Sequence, residues 1–495
     1  MAAKSRLRNL IDQLEERYQR MTEEDTFKLD VPQLPHVDLS QVELRLQESH
    51  ALSETAKDTY DALKREESEI YCYYHGRVNL QQLVSRLPPE ILGIIFDLAC
   101  ATNPFWDVDP HRSSINPAWR QNTWKSRELI SLTCTRWRQV ALQTPSMWSY
   151  IQVSSSKRGK PLPQISLIRS SISRARSTPL TISIELSNQF DGWAEVSNIF
   201  RAETKRIRSL HLTEPGFGSP LRMRWLDSTP NVCPVLQVLR LKIACATEAA
   251  PHLDLSQALN LRFLSIDYSF GDPHSEPRLL TFELPPSTPI EELYLRGEIS
   301  LLSSMHAISE CSETLQIAAV ALKPWNWYGR TSPLTPPDSL SLPHLRTFVA
   351  SVNLLAALRE TVIHLPVATT IQIEIDRGHR LSCTFDCPLI TCFASRGVPD
   401  EMVRQLLRMI PTVREVFFRY VGLDNLKALV NAKKTTVPVA PLLETVWLGS
   451  DCVETGSAPD AQAALKRRRR NGVEIRWRNH NEGPPIYPPW FVRFN

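Results

Sequence analysis

Leu236-Gln237-Val238-Leu239-Arg240-Leu241 and, further along, Leu261-Arg262-Phe263-Leu264-Ser265-Ile266 share one apolar spacing. On an extended strand the last two apolar residues of each hexamer point to one face, and the residue between them points to the other. The spacing returns at Ile207/Leu210/Leu212, Ile290/Leu293/Leu295, Leu345/Phe348/Ala350 and Ala368/Ile371/Ile373. It returns again at Leu389/Cys392/Ala394, Val413/Val416/Phe418 and Leu443/Val446/Leu448. A degenerate copy stands at Leu315/Ile317, and Val473-Glu474-Ile475-Arg476-Trp477 reads as the last. Central positions recur from Leu210 through Val446 at uneven but similar steps. Pro234, Pro343, Pro388, Pro411 and Pro441 each stand just before a copy, so the strands are entered from turns. Stretches 354–365, 401–410 and 423–432 between copies carry helical spacing. One strand and one helix per repeat predict an α/β solenoid over residues 160–495, with parallel strands inside and helices outside.

Composition sets the class. The chain has 495 residues, 42% of them apolar and 22% charged, enough for two or three domains. Pro is abundant (37) and Gly scarce (16), which fits many short connections and not a Gly-rich phosphate-binding enzyme. A net charge of +4 weighs against whole-protein attraction to nucleic acid. The opening residues lead into a charged segment, so no secretory signal is expected, and no apolar run is long enough to span a membrane. Ten scattered Cys then read as reduced thiols, and the expected compartment is cytoplasmic or nuclear.

Residues 1–79 read as a helical, coiled-coil-like segment. Leu7, Ile11, Leu14, Tyr18 and Met21 form one stripe, and Pro32 and Pro35 break it. A second helix from about residue 39 places Val42, Leu46, Ala56, Tyr60, Leu63, Ile70 and Tyr74 at a/d-type positions, interrupted by Ser49, Ser53, Glu67 and Arg77.

Residues 80–153 form a different block. Leu87-Pro88-Pro89-Glu90-Ile91-Leu92 opens it, followed by Ile95-Phe96 at helical spacing. A polar insertion at 101–127 interrupts before a helix over 128–142 carries Cys134-Thr135-Arg136-Trp137-Arg138 and Val140-Ala141. Pro145-Ser146-Met147-Trp148 closes it, and a strand follows through Val153. So short a unit carries more apolar helix surface than it can bury alone, and a partner protein is the natural cover.

This block resembles an F-box: L-P-x-E-[IL]-L-x-x-I-F, then a C-x-R-W-R-like helix and a closing Trp. The whole chain is similar to fungal proteins with an N-terminal helix, an F-box and degenerate leucine-rich repeats, whose period of roughly 20–29 residues the spacing here brackets. The resemblance implies a three-helix F-box followed by a horseshoe. The F-box would dock on the Skp-type adaptor of a cullin-RING (SCF-type) ubiquitin ligase, and the repeats would hold a protein substrate. Leu87, Pro88, Ile91, Ile95 and Trp137 are the expected adaptor face, while Leu92, Phe96, Cys134 and Val140 are expected in the core. The insertion at 101–127 departs from the short link of typical F-boxes. A ligase-independent repeat scaffold is the alternative.

Substrate-binding residues follow from the strand alternation. The between-Leu positions, on the concave face, are His211, Arg240, Ser265, Tyr294, Gln316, Val349, Gln372, Phe393, Phe417, Trp447 and Arg476. Tyr294, Phe393, Phe417 and Trp447, with Arg419 and Arg476, are the expected substrate contacts, as exposed aromatics with Arg mark binding surfaces. An alternative cover is the apolar tail Pro484-Pro485-Ile486-Tyr487-Pro488-Pro489-Trp490-Phe491. No phosphate-loop, dinucleotide, zincin or nucleophile-elbow motif is present, so no catalytic residue and no cofactor is expected. His379, Cys383, Cys387 and Cys392 are too loosely spaced for a usual zinc site, and Cys392 falls at a central apolar strand position, so no metal is expected. Lys466-Arg467-Arg468-Arg469-Arg470 reads either as an import or nucleic-acid patch or as an exposed basic turn.

Overall fold

The computed structural model of the chain describes Glu16 and residues 39–81, 86–100, 127–154, 165–185, 193–214, 233–245, 252–270, 279–323, 338–351, 354–355, 358, 361–374, 384–396, 406–418, 442–448 and 474–477. It divides into two compact units, Met1–Leu87 and Pro88–Asn495. The first contains α1 (Leu39–Gln81), a single helix of 43 residues. At 1.5 Å per residue it is about 65 Å long. Among its described side chains only Tyr60 and Leu63 are half-buried; Leu44, Leu46, Leu52, Ile70 and Tyr73 are each more than half exposed. The expected Leu7–Met21 stripe lies outside the described residues.

The second unit opens with α2 (Pro89–Cys100), helical residues 127–133, α3 (Thr135–Gln143) and α4 (Pro145–Trp148). The helix expected over 128–142 is in fact two. Cys134 is extended (φ −160°, ψ 166°), and its sulfur accepts the Trp137 N–H at 3.4 Å, capping α3 in place of continuing the preceding turn.

Among the described residues, thirteen strands then build one parallel sheet in strict chain order, open at both ends. They are β1 (Tyr150–Ser154), β2 (Leu180–Glu185), β3 (Ile207–Glu214), β4 (Val238–Cys245), β6 (Phe263–Phe270), β8 (Glu292–Gly297), β9 (Ile317–Leu322), β11 (Thr347–Ser351), β13 (Thr370–Glu374), β15 (Cys392–Arg396), β16 (Glu415–Phe418), β17 (Thr445–Leu448) and β18 (Glu474–Trp477). The step between paired positions is shortest from Gln372 to Ala394 and longest from Gln152 to Ser183. Each strand therefore pairs with the next coil of chain. The strand after Trp148 is the first rung, and the helical block joins the sheet through it.

One column of apolar residues runs through this register: Leu210, Leu239, Leu264, Leu293, Ala318, Phe348, Ile371, Phe393, Val416 and Val446. None is more than 2% exposed. Each large member contributes about 1.5–3 kcal/mol of burial, so the repeat spacing and the core are one feature.

Among the described residues, three helices of several turns stand in connections of the sheet. α5 (Ile165–Ala175), α6 (Trp193–Ala202) and α7 (Leu301–Glu310) lie between main strands. Other connections instead carry short second strands: β5 (His252–Asp254) with β7 (Thr281–Glu283), and β10 (Ser339–Ser341), β12 (Val362–His364) and β14 (Thr384–Asp386) together. The expected helix over 354–365 is thus a strand at its end. That over 401–410 is described only as a single turn at 406–409, and 423–432 lies outside the described residues.

The prolines act as expected. In Leu342-Pro343-His344-Leu345 and Leu365-Pro366-Val367-Ala368 the fourth N–H donates to the first carbonyl, at 3.3 Å in both. Cys233-Pro234-Val235-Leu236 and Ile410-Pro411-Thr412-Val413 close likewise, at 3.1 and 3.4 Å. Pro supplies the turn's second residue, and the fourth becomes the first buried residue of the strand. The residue after Pro faces solvent: Val235, Val367 and Leu389 are 38%, 41% and 52% exposed.

That turn corrects one register. Cys387-Pro388-Leu389-Ile390 makes Ile390, not Leu389, the first buried position, so Phe393 takes the central core place expected for Cys392. Phe393 pairs with Ile371 and Val416 and lies in the core, not on the opposite sheet face where it was expected. Gln316 is likewise displaced; Ala319 occupies that rung. A one-residue slip exchanges the two faces, and runs such as Ile390-Thr391-Cys392-Phe393-Ala394 satisfy either register by polarity alone.

Candidate interaction surfaces

Helix α2 is apolar on two sides. Leu92, Gly93, Phe96 and Cys100 face inward. Phe96 meets the Trp137 ring at 4.9 Å, and Trp148 donates its Nε1–H to the Ala141 carbonyl at 2.7 Å. Gly93 allows close approach: a Cβ there would lie 3.1 Å from Thr144 Oγ1. Cys134, expected in the core with Leu92, Phe96 and Val140, is half-buried at its cap.

The opposite side of α2 presents Ile91, Ile94, Ile95 and Leu98, which are 44%, 57%, 43% and 71% exposed. Their i, i+3, i+4, i+7 spacing makes one continuous stripe. Pro88 at the helix start is exposed as well. Leu129 and Leu132, on the helical turn at 127–133, are 65% and 68% exposed. A solvent-open groove of about 390 Å³ runs from Glu90 and Ile94 on α2 to Gln143 and Ser146. Of the expected adaptor face, Pro88, Ile91 and Ile95 are exposed, Leu87 is half-buried, and half-buried Trp137 packs on Phe96. Ile94 and Leu98 are the members sequence reasoning missed; a helical wheel of α2 carries both.

Arg127 joins this block to the sheet. It is 2% exposed and donates from Nη1 to the Tyr150 carbonyl at 2.6 Å. Burial lowers its pKa, opposed by Cys100, Tyr150 and Asp97. Burial raises the Cys100 thiol, with Arg127 opposing. Cys100, just before the insertion, and Arg127, its last residue, are therefore electrostatic neighbours; 101–126 lie outside the described residues.

The second sheet surface lies opposite the core column. Register places His211, Arg240, Ser265, Tyr294, Val349, Gln372, Phe417 and Trp447 there, with Arg476 at the next register position, as the alternation predicts, and adds Gln152 on β1, which it did not. Exposure is the correction. Tyr294, Phe417 and Trp447 are only 6%, 1% and 8% exposed. Tyr294 packs with Ala319 and Val349, while Ala394, Phe417 and Trp447 form a second cluster. The Trp447 indole donates to Glu415 Oε2 at 3.1 Å, fixing its ring. The expected aromatic ladder is thus a packed layer. Arg419, Lys466–Arg470 and the 484–491 tail lie outside the described residues, as does the Arg476 side chain.

Over β4, β6 and β8 this surface stays polar and half-open. The Arg240 guanidinium stacks 4.4 Å from the Phe263 ring centre, and Phe263 lies 5.4 Å from Tyr294. Tyr294 donates to Glu292 Oε2 at 3.0 Å. Burial pushes the Arg240 pKa down to about 10, opposed by Tyr294 and Glu292. Burial raises Glu292 and Asp267, the latter against Arg296, Lys242 and Lys323.

Of the zinc candidates, His379 and Cys383 lie outside the described residues, and Cys387 and Cys392 are free thiols. Among the described residues no three His, Cys, Asp or Glu gather to hold a metal ion, and no helix is long and apolar enough to cross a membrane.

No protein-family model matches the chain, and no curated protein matches it.

Proposed function

We propose that the chain is the substrate-recognition subunit of an SCF-type cullin-RING ubiquitin ligase. In this reading residues 88–148 are an F-box that docks on a Skp-type adaptor, and the parallel sheet is a degenerate leucine-rich-repeat solenoid that binds a protein substrate. The observation that carries it is the exposed Ile91/Ile94/Ile95/Leu98 stripe, on the helix whose sequence resembles the F-box opening. Covering these half-exposed side chains is worth about 1 kcal/mol each at roughly 25 cal/mol per Å². Most steps between paired positions, such as Arg240 to Ser265 and Gln372 to Ala394, fall within the leucine-rich-repeat period of roughly 20–29 residues and support the repeat assignment. The chain would do no chemistry itself; other subunits transfer ubiquitin.

Affinity purification of the full chain from its host tests the reading. A Skp-type adaptor and a cullin should co-purify, and Ile95→Asp should lose both. Recovery without any adaptor would defeat the proposal.

The ligase-independent scaffold is favoured by one observation, the exposed apolar residues of α1. It requires partners captured through residues 39–81 with no adaptor present.

A further inference from the structure

We propose that α1 pairs antiparallel with α1 of a second copy of the chain, the two helices running side by side about a two-fold point at Asp58. The pairing rests on α1 alone and stands apart from the ligase reading.

A helix in a folded protein draws most of its stability from packing an apolar face, not from propensity. On α1 such a face is open. Leu46 and Ile70, both at a/d-type positions, are 64% and 56% exposed. The Leu7–Met21 stripe of the same chain is too short to cover both. Even as a helix it reaches about 22 Å, while Leu46 and Ile70 lie about 36 Å apart along α1. A second α1 is long enough.

The interruptions of the stripe choose the orientation. In a parallel pair in equal register each a/d-type position meets itself. Glu67 would then face Glu67 of the second copy, and Ser49 and Ser53 would form two further polar layers. Antiparallel about Asp58, each a-type position meets a d-type position instead. Leu46 lies on the second copy's Ile70, small Ala56 on large Tyr60, and Ser49 on Glu67. Ser53 meets Leu63, the one mixed layer inside the seam, and positions 39 and 77 close it at each end. A slip of one heptad either way sets Glu67 opposite Val42 or Ala56, a carboxylate against an apolar residue. One register therefore keeps polar on polar and apolar on apolar.

The flanks agree with it. Arg45 comes beside the second copy's Tyr73, a cation–π partner for a ring that is 65% exposed in the single chain. One like pair opposes the register, Lys57 against Lys57 at its centre. From residue 39 to residue 77 the seam is about 58 Å long. At roughly one helix width it covers about 1,200 Å² in all, the lower end of the range for specific interfaces.

Sedimentation velocity of the full chain tests the pairing. At low micromolar concentration the species should be a dimer, twice the 56.4 kDa of one chain. Leu46→Lys and Ile70→Glu should each raise the dissociation constant at least about tenfold, because each sets a lone charge in the seam. Both positions are exposed in the single chain, so neither substitution costs the fold a buried contact. The double variant Leu46→Lys/Ile70→Glu should recover to within about threefold of wild type, since each new ammonium meets a new carboxylate. In a parallel pair it would set like charges together twice and be weaker than either single variant. Lys57→Ala should tighten the dimer about twofold or more by removing the central like pair.

A monomer up to the solubility limit overturns the pairing and leaves α1 to a cover from its own chain or another protein. A dimer indifferent to both single substitutions places the contact elsewhere and overturns it too. A double variant weaker than the single ones, or a Lys57→Ala dimer no tighter than wild type, overturns the antiparallel register. Adaptor capture is scored on the same samples and should be equal for all of them. Its absence in a dimeric wild type defeats the ligase reading alone, and adaptor capture by a monomeric wild type defeats the pairing alone.

Discussion

Replacing Phe393 with Ala tests the register that decides which side chains face the core. Phe393 is 0% exposed and sits between Ile371 and Val416 in the core column. Phe→Ala at such a position costs about 3–5 kcal/mol, the sum of lost transfer energy and the cavity left behind. Ile390→Ala, at the closing position of the Pro388 turn, should cost about 2–5 kcal/mol. Leu389→Ala should cost under about 1 kcal/mol, because that side chain is already 52% exposed. The alternative register reverses the ranking, putting Leu389 inside and Phe393 outside. Urea unfolding of the three variants, compared by apparent midpoint, separates the two. With two compact units the unfolding need not be two-state, but the order of the midpoints still decides. A Leu389→Ala variant less stable than Ile390→Ala, or a harmless Phe393→Ala, would refute the assignment.

Gly297 has φ 97°, and a Cβ there would lie 1.8 Å from the Tyr268 carbonyl oxygen, which accepts the Glu298 N–H at 3.0 Å. Gly297→Ala should therefore cost at least about 2 kcal/mol, read by the same urea midpoint; a neutral result would contradict the backbone placement. Leu98→Asp lies on an exposed stripe and should leave the melting temperature within about 2 °C while lowering adaptor affinity at least tenfold. Cys233 and Cys311 have thiol pKa values pushed up by burial to about 12. At pH 8 their native reaction with a thiol reagent should be at least about a hundredfold slower than in denaturant. The native values lie above the ordinary 9.0, so the stability these thiols contribute is intact below about pH 9 and is lost as pH rises from there toward about 12. Alkaline melts should show that direction, and rising stability above pH 9 would contradict it.

The parallel sheet was legible because the coils repeat a chemical unit: a turn, in several copies built on Pro, a buried first residue, then two buried residues on one strand face. Leu236/Leu239/Leu241 and Ile290/Leu293/Leu295 leave no other register. The coil around Cys392 was less legible because Leu389 through Ala394 is apolar on both faces, and only the turn geometry of Pro388 separates them. The short second strands were hidden by brevity. Segments such as Val362-Ile363-His364 are too short for period-two alternation to stand out from a helical fragment. The two rungs before Ile207 were not read as rungs because Ile151/Val153 and Leu180/Ile182/Ile184 lack the leading spacing of later copies. On α2 the exposed stripe was half legible: Ile91 and Ile95 were read as surface, but Ile94 and Leu98 complete it. Burial of Tyr294, Phe417 and Trp447 could not be read from strand alternation, which assigns a face but not what packs on it.

Direct binding of the purified full chain to a recombinant Skp-type adaptor, measured by biolayer interferometry, tests the central claim most plainly. Saturable, one-to-one binding is expected, and Ile95→Asp and Leu98→Asp should each weaken it at least tenfold with melting temperature unchanged. No binding by a folded wild-type chain, or binding indifferent to both substitutions, would contradict it.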